Sequence, residues 1–429
     1  LSTNDAGDFI VTVGNDVTGA IDVGDITAAG DAAEENEGDV NINITNNADS
    51  TIDFGNIVLG DDSDNGAGDP IDSADFDLTV GGTSGAIGIL DFTNRGDQDA
   101  TVNVTGDLAS FSVDAVTLQN DTETTHGDLT VTAGANVTGA IDIASGDDIQ
   151  IGDADEADTA ALTVTVTGDA NDVNIGNVYL NSTSDNGDMD VNLNGGGSSG
   201  AVQTGTIIAD AAGDQEGDFS LVSAGEITDL TVGSISLNDG DSAGSTSGVE
   251  FQAVDTTGDV DFSYIGNHGD GNVTANLDSD ASGEQVDWLD IGTVDTRNDT
   301  VNTSGNIDFD IGGSAGNVSI ANAWLGDSGD NDTSQYSING HGDANWGPLS
   351  AGDMVLDSDG GGTGLTLDPG GTGSIDSVTF GEIEILGSAP GNTITVGHTG
   401  ANATTSLGDL AMDNLTLGAD TNVASGVTI

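Results

Sequence analysis

The chain of 429 residues contains no cysteine, no lysine and only two arginines, Arg95 and Arg297. Without cysteine there are no disulfides, no thiol nucleophile and no iron–sulfur ligation. That absence suits an exposed extracellular protein. The shortage of base decides more. Against two basic side chains stand 75 Asp and Glu, for a net charge of −73. Nucleic acid is excluded as a partner, because phosphate binding needs cations on the protein. Direct attachment to an anionic membrane is excluded as well, unless a metal bridges the two. No apolar run is long enough to cross a bilayer, and no signal peptide is visible. The chain begins with Leu, which predicts a mature or truncated product.

Aromatics are 4% of the residues. Lyases and hydrolases of acidic polysaccharides need Lys or Arg to hold the sugar and aromatic platforms to stack it. Trp288, Trp324 and Trp346 are irregularly spaced and fit core or corner packing better than sugar stacking. The four histidines (His126, His268, His341, His398) are scattered, and none sits beside a Ser nucleophile in a motif. Carboxylate pairs such as Asp22 and Asp53 could serve as glycosidic acid and base. So many acids are present that no pair is singled out. The expectation is a non-enzymatic protein, with a β-helix polysaccharide lyase or hydrolase as an alternative.

What the sequence does contain is a repeat. Four consecutive segments open at Ile307, Tyr336, Leu365 and Ile394, 29 residues apart. Superposed, they align apolar columns: Phe309, Ile338, Leu367, Val396; then Ile320, Leu349, Val378, Leu407; then Leu325, Met354, Ile383, Met412. Between the opening column (Ile307, Tyr336, Leu365, Ile394) and that of Phe309 the position is polar each time, at Asp308, Ser337, Thr366 and Thr395. That alternation is a strand with one buried face. Similar openings at Gly7, Gly38, Asp77, near Thr101, and at Gly127, Ala161, Gly187, Gly217, Val249 and Val273 bring the total to 14 coils of about 30 residues. Each coil has room for three short strands, a plan seen in DLTVTA (128–133), GAIDIA (139–144) and SISLN (234–238). Gly is abundant, with 67 residues, and the four prolines fall near turns, so helices are disfavoured. The expected fold is all-β: a right-handed parallel β-helix, the usual hand for parallel crossovers. It runs as one continuous solenoid over residues 1–429, with flanking sequence missing at either end or copies stacked end to end. Residues 7–22 match 127–142 at 11 of 16 positions, which points to duplication of a four-coil block.

Charge this dense needs counter-charge from outside. Coils stack ~4.8 Å apart, and two carboxylates at that distance repel by ~0.9 kcal/mol even in bulk water. Either brine screens them or divalent cations bind them. Asp gathers with Asn, Gly and Ser in short loops: Asp61, Asp62, Asp64 and Asp69; Asp153, Asp155, Glu156 and Asp158; Asp327, Asp330 and Asp332; Asp357 and Asp359. Such loops offer the six to eight oxygens that Ca²⁺ takes. They are the candidate metal ligands, and Ca²⁺ is the candidate cofactor. Asn-x-Ser/Thr sequons begin at 12 positions, Asn103 and Asn136 among them, and a host with the pathway could glycosylate them.

In texture, these Gly-Asp-rich, Cys-free, Lys-poor strand repeats resemble the β-solenoid regions of secreted S-layer proteins and large surface adhesins. A degraded trace of the RTX calcium nonapeptide runs through GGTGLTLDP (361–369) and GGTGSIDSV (370–378), with Thr366 and Ile375 where Asp is usual. The resemblance implies an extracellular, self-assembling, cation-dependent structural unit of an S-layer, sheath or filament, or the stalk of an adhesin. Its partners would be copies of itself, metal cations and cell-surface glycans.

Overall fold

The computed structural model describes residues 8–28, 38–60, 75–95, 99–118, 127–152, 160–180, 187–197, 199–209, 217–237, 248–269, 271–278, 286–297, 305–326, 333–340, 344–358, 362–386, 392–397, 406–417 and 426–428. Among these residues every regular element is a β-strand, and the assigned strand pairs are parallel. The chain is a parallel β-solenoid, dividing into two compact units, Leu1–Gly225 and Glu226–Ile429.

In the first unit the opening strand of each coil stacks on the next with no slip. One inward column runs Phe9, Val40, Phe76, Ala100, Leu129, Leu162, Met189, Phe219. The second unit repeats the plan with Val249, Val273, Ile307, Tyr336, Leu365 and Ile394, and the backbone at Val427 continues the register for a seventh rung. These columns hold eight and seven rungs, so the count differs slightly from 14, the extra rung being the short strand Gly426–Thr428. The duplicated block is visible in the stack. Phe9 and Leu129, matched by the sequence echo, stand four rungs apart in one column.

Three short strands per coil hold only for the first two coils, as in Val40–Ile44, Ile52–Phe54 and Ile57–Leu59. In most later coils the second and third merge into one bent strand, such as Ser84–Asn94 or Ala315–Leu325. The three faces survive inside it. In Ser84–Asn94 the buried residues are Ser84, Ile87, Ile89, Phe92 and Asn94, with two consecutive outward residues at 85–86 and again at 90–91. Each doubled outward step turns the corner without breaking the ladder, so the strand continues around it.

The repeat of 29 holds on the first face and fails on the others. Ile307, Tyr336, Leu365 and Ile394 are in register, as are Phe309, Ile338, Leu367 and Val396. On the second face the true column is Val318, Leu349, Val378, Leu410, and Ile320 stacks instead on Ala351, Phe380 and Met412. On the third it is Ala323, Met354, Ile383, Leu415. The expected columns through Ile320 and Leu325 were thus displaced by two residues, and those through Leu407 and Met412 by three. The path from first to second face lengthens along the stack, from 11 residues (Ile307 to Val318) to 16 (Ile394 to Leu410), while the step from second to third face stays at five. A slip of two preserves inward–outward parity, so a false column still reads as apolar.

The core is rich in branched aliphatics, with edge-to-face ring contacts running from Phe251 to Phe262 within one coil and on through Phe309 to Tyr336. Tyr336 is fully buried and its hydroxyl has no hydrogen-bond partner; burial pushes its pKa well above the ordinary tyrosine value.

Candidate functional site: Asp and Asn ladders at the coil corners

Of the expected metal ligands, Asp61, Asp62, Asp64, Asp69, Asp153, Asp155, Glu156, Asp158, Asp327, Asp330, Asp332 and Asp359 lie outside the described residues. Asp357 is described. It closes the strand Asn345–Asp357, is half-buried, and stacks in register with Leu386. Among the described residues no three His, Asp or Glu side chains are grouped as a metal would require. Asp22 and Asp53 do pair as neighbours on adjacent coils, both exposed.

The described acids have a different organisation. At a corner the backbone turns out of the sheet and its N–H loses its ladder partner. In many coils the residue just before the first inward side chain is Asp or Asn, and its side-chain oxygen accepts the N–H of the equivalent residue one coil on. At the first corner the run is unbroken over five coils. The N–H of Asp75 donates to Asp39 Oδ1 (3.3 Å), that of Asp99 to the Asp75 carboxylate, that of Asp128 to Asp99 Oδ1 (3.1 Å), and that of Ala161 to Asp128 Oδ1 (2.8 Å). Asp218 N–H donates to Asp188 Oδ1 in the same column (3.0 Å). In the second unit amides do the same job: Asn306 N–H donates to Asn272 Oδ1 (3.0 Å), and Gln335 N–H to Asn306 Oδ1 (3.1 Å).

The other corners repeat the device. At the second, Asn47 N–H reaches Asp16 Oδ1, Thr83 N–H reaches Asn47 Oδ1, and Asp169 N–H reaches Asn136 Oδ1, at 3.3, 3.0 and 2.9 Å. At the third, Asn56 N–H reaches Asp25 Oδ1, and in the second unit Glu382 N–H reaches Asp353 Oδ1, each at 3.0 Å. Asp and Asn suit this task because their short side chains bond nearby backbone at little entropic cost. The longer Glu would lose more rotamer freedom. The sequon residue Asn136 is one of these structural members, with both its amide nitrogen and oxygen engaged.

Stacked carboxylates perturb one another. The Asp75 carboxyl is held above the ordinary 3.8, first by burial and then by the charges of Asp39, Asp77 and Asp99. Asp128 is raised mainly by burial, against the lowering effect of the Ala161 N–H. Asp190 and Asp261, on outward strand positions, are also raised, by burial and then by Asp188 and Asp290 respectively.

Both arginines are described, Arg95 in the first unit and Arg297 in the second, where it sits in a cluster of side chains. Arg297 holds Asp295 through Nε (2.8 Å) and Nη2 (2.6 Å), and its guanidinium lies 4.5 Å from the ring centre of Trp324. Burial lifts the Tyr264 hydroxyl beside it and lowers the His268 imidazole. Of the tryptophans expected to pack in the core or at corners, Trp346 is buried and Trp324 sits under the arginine, whereas Trp288 is 46% exposed.

Set against protein-family models, curated proteins and solved structures, the chain matches none. Its function must therefore be argued from its own geometry. The corner ladders were legible in part. The openings at Gly7, Gly38, Gly127, Gly187 and Gly217 are each the Gly of a Gly-Asp-apolar triplet, and that Asp is the corner residue. Reading the triplet as a corner signal, and not only as a coil start, would have found the column.

Proposed function

We propose that this protein is a non-enzymatic structural solenoid that assembles with copies of itself outside the cell, in an S-layer, sheath or filament, with Ca²⁺ or high salt supplying the counter-charge. The observation that carries this reading is the strand Ser406–Leu417. It stacks on Ser374–Leu386 along one edge only, among the described residues. Its inward side chains Leu410, Leu415 and Leu417 are 42%, 43% and 51% exposed. Their counterparts one coil earlier, Val378, Ile383 and Ile385, are fully buried. An apolar row that the described residues leave uncovered can take another parallel strand. The opening strand Phe9–Val13 offers the complement, with Phe9, Val11 and Val13 only half-buried in the same kind of column. Head-to-tail contact of the two surfaces is heterologous, and contacts of that type propagate into filaments or sheets.

Sedimentation and negative-stain imaging of the full chain, with and without Ca²⁺, test the proposal. Regular fibres or sheets are expected from the natural sequence, and loss of assembly from Leu415→Asp. A natural chain that stays monomeric at high concentration in both Ca²⁺ and molar salt would overturn it and favour a single-copy stalk.

A further inference from the structure

One coil of the first unit departs from the regular corner. Between the second and third faces, neighbouring coils place two residues, from Val113 to Val116 and from Ile175 to Val178. The coil between them places five, from Ile143 to Ile149. The additional residues bulge outward through Ala144, whose φ of 49° is the one left-handed non-glycine conformation in the described chain. Such a conformation costs of order 1 kcal/mol or more, and it persists where surrounding structure imposes it. The bulge folds its carbonyls over the next coil. A Cβ at Gly176 would collide with the carbonyl oxygens of both Ala144 and Asp147, so only glycine fits beneath.

The bulge walls a depression of about 360 Å³, floored by Gly176 and Gly205 and edged by Ser145, Asp147, Asn174, Asn177, Gln203 and Thr204. Polar capacity there exceeds what the fold uses. Asn177 is fully engaged, giving Nδ2 to Asp148 and taking the Thr206 N–H. Asn174 gives Nδ2 to Asp142, which leaves its carbonyl oxygen to accept. Gln203 is an exposed amide. Thr204 stacks on Ile175 in the buried inward column, so its hydroxyl faces the core and the outward groups of the depression are Ser145, Asp147, Asn174, Asn177 and Gln203.

We propose that this depression binds one or two residues of an uncharged saccharide. Side-by-side amides, the Ser145 hydroxyl and the Asp147 carboxylate match the alternating donors and acceptors of sugar hydroxyls. The volume is at the small end of ligand sites, about 300–1,000 Å³. No base lines it, which disfavours anionic sugars. Asp147 is the one carboxylate among its edging residues, which is too little negative charge for a typical Ca²⁺ cage.

Saturation-transfer NMR on the full chain tests this, using glucose, galactose, mannose and N-acetylglucosamine, with glucuronate as the charged control. Transfer to at least one neutral sugar is expected. Asp147→Ala and Gln203→Ala, both exposed side chains, should each weaken it about tenfold while leaving the melting temperature unchanged, and Asp22→Ala should not weaken it. Leu415→Asp should block assembly and leave sugar binding intact, so the two proposals fail separately. The inference is overturned by no transfer to any neutral sugar, by equal transfer in the variants, or by glucuronate binding as well as its neutral parent.

Discussion

Replacing Asp75 by Asn isolates what a corner carboxylate does. The amide keeps an oxygen for the Asp99 N–H and loses the charge that faces Asp39 and Asp99 one coil to either side. At a rung spacing of ~4.8 Å each neighbour contributes ~0.9 kcal/mol of repulsion in bulk water, so the pair contributes ~1.7 kcal/mol. A Debye length of ~8 Å at 0.15 M salt reduces that to ~1 kcal/mol, and ~3 Å at 1 M reduces it to ~0.3 kcal/mol. Against this gain, a hydrogen bond to a charged acceptor is stronger than one to an amide. The direction of the Asp75 shift decides between the two. Its carboxyl is raised even with the Asp99 N–H donating to it, so burial and repulsion outweigh the charge-assisted part of the bond. Asp75→Asn should therefore raise the urea midpoint by the equivalent of at least ~1 kcal/mol at 0.15 M NaCl, and ~0.7 kcal/mol of that gain should be lost at 1 M, the part due to burial remaining because salt does not screen it. Asp75→Ala removes the acceptor as well and should fall ~1 kcal/mol below the Asn variant. An Asn variant weaker than the natural chain at low salt would refute the ladder argument, as would a gain indifferent to salt or an Ala variant equal to Asn.

Three further outcomes follow from the same structure. Leu367→Asp places a charge between Ile338 and Val396 in a fully buried column and should cost at least ~4 kcal/mol, whereas Thr366→Asp on the outward face should be nearly harmless; equal denaturation midpoints would contradict the register. Asp75, Asp128, Asp190 and Asp261 all have folded pKa values above the ordinary 3.8, so each penalises the folded state above its folded pKa and relieves it as pH falls towards 3.8; lowering the pH modestly from neutral at fixed salt should raise the urea midpoint, and a steady decline from neutral would contradict the shifts. Chelation at constant ionic strength of about 0.15 M should lower the melting temperature, and Ca²⁺ but not Mg²⁺ should restore it; a melting curve unmoved by chelator would leave the Asp-rich loops as halophilic or solvating surface.

The first face was legible because three constraints coincide there. Apolar residues alternate, Gly-Asp marks the corner before them, and in the second unit the spacing holds at 29 over Ile307, Tyr336, Leu365 and Ile394. The second and third faces follow a corner whose length varies, from 11 residues between Ile307 and Val318 to 16 between Ile394 and Leu410, and a fixed period cannot track that. Alternation then hides the error, because Ile320 and Val318 both point inward. The bulge at Ala144–Asp147 was invisible for another reason. Residues 139–144 were read as the strand GAIDIA, with Ala144 continuing the sheet, and nothing in Ala-Ser-Gly-Asp announces a left-handed alanine. The acids were noticed as loop clusters, where they could converge on a metal. Their role at the corners depends on which residue of the next coil lies above them, and that is a fact of register.

The ladders also bear on why the chain is so acidic. A corner needs an oxygen of the right reach, and that need does not specify charge. Asn272, Asn306 and Gln335 occupy the same column position in the second unit that Asp39, Asp75, Asp99 and Asp128 occupy in the first, and Asn272 and Asn306 accept the same backbone bond. An amide ladder would spare the first unit ~0.9 kcal/mol of repulsion for each adjacent pair. Repulsion of that size, repeated over consecutive coils, is large beside a typical folding stability of ~5–15 kcal/mol. Carboxylates where amides would serve are therefore tolerable only in a setting that screens or binds them. Two basic residues against 75 acids rule out an internal source for that compensation. In the function proposed above a cation-rich exterior would supply it, most strongly where copies stack and bring further acidic rungs to the same spacing. On this argument assembly and cation supply are coupled: removing cations should weaken contacts between copies before it unfolds the coils within one, since a contact between copies must also offset the entropy of association.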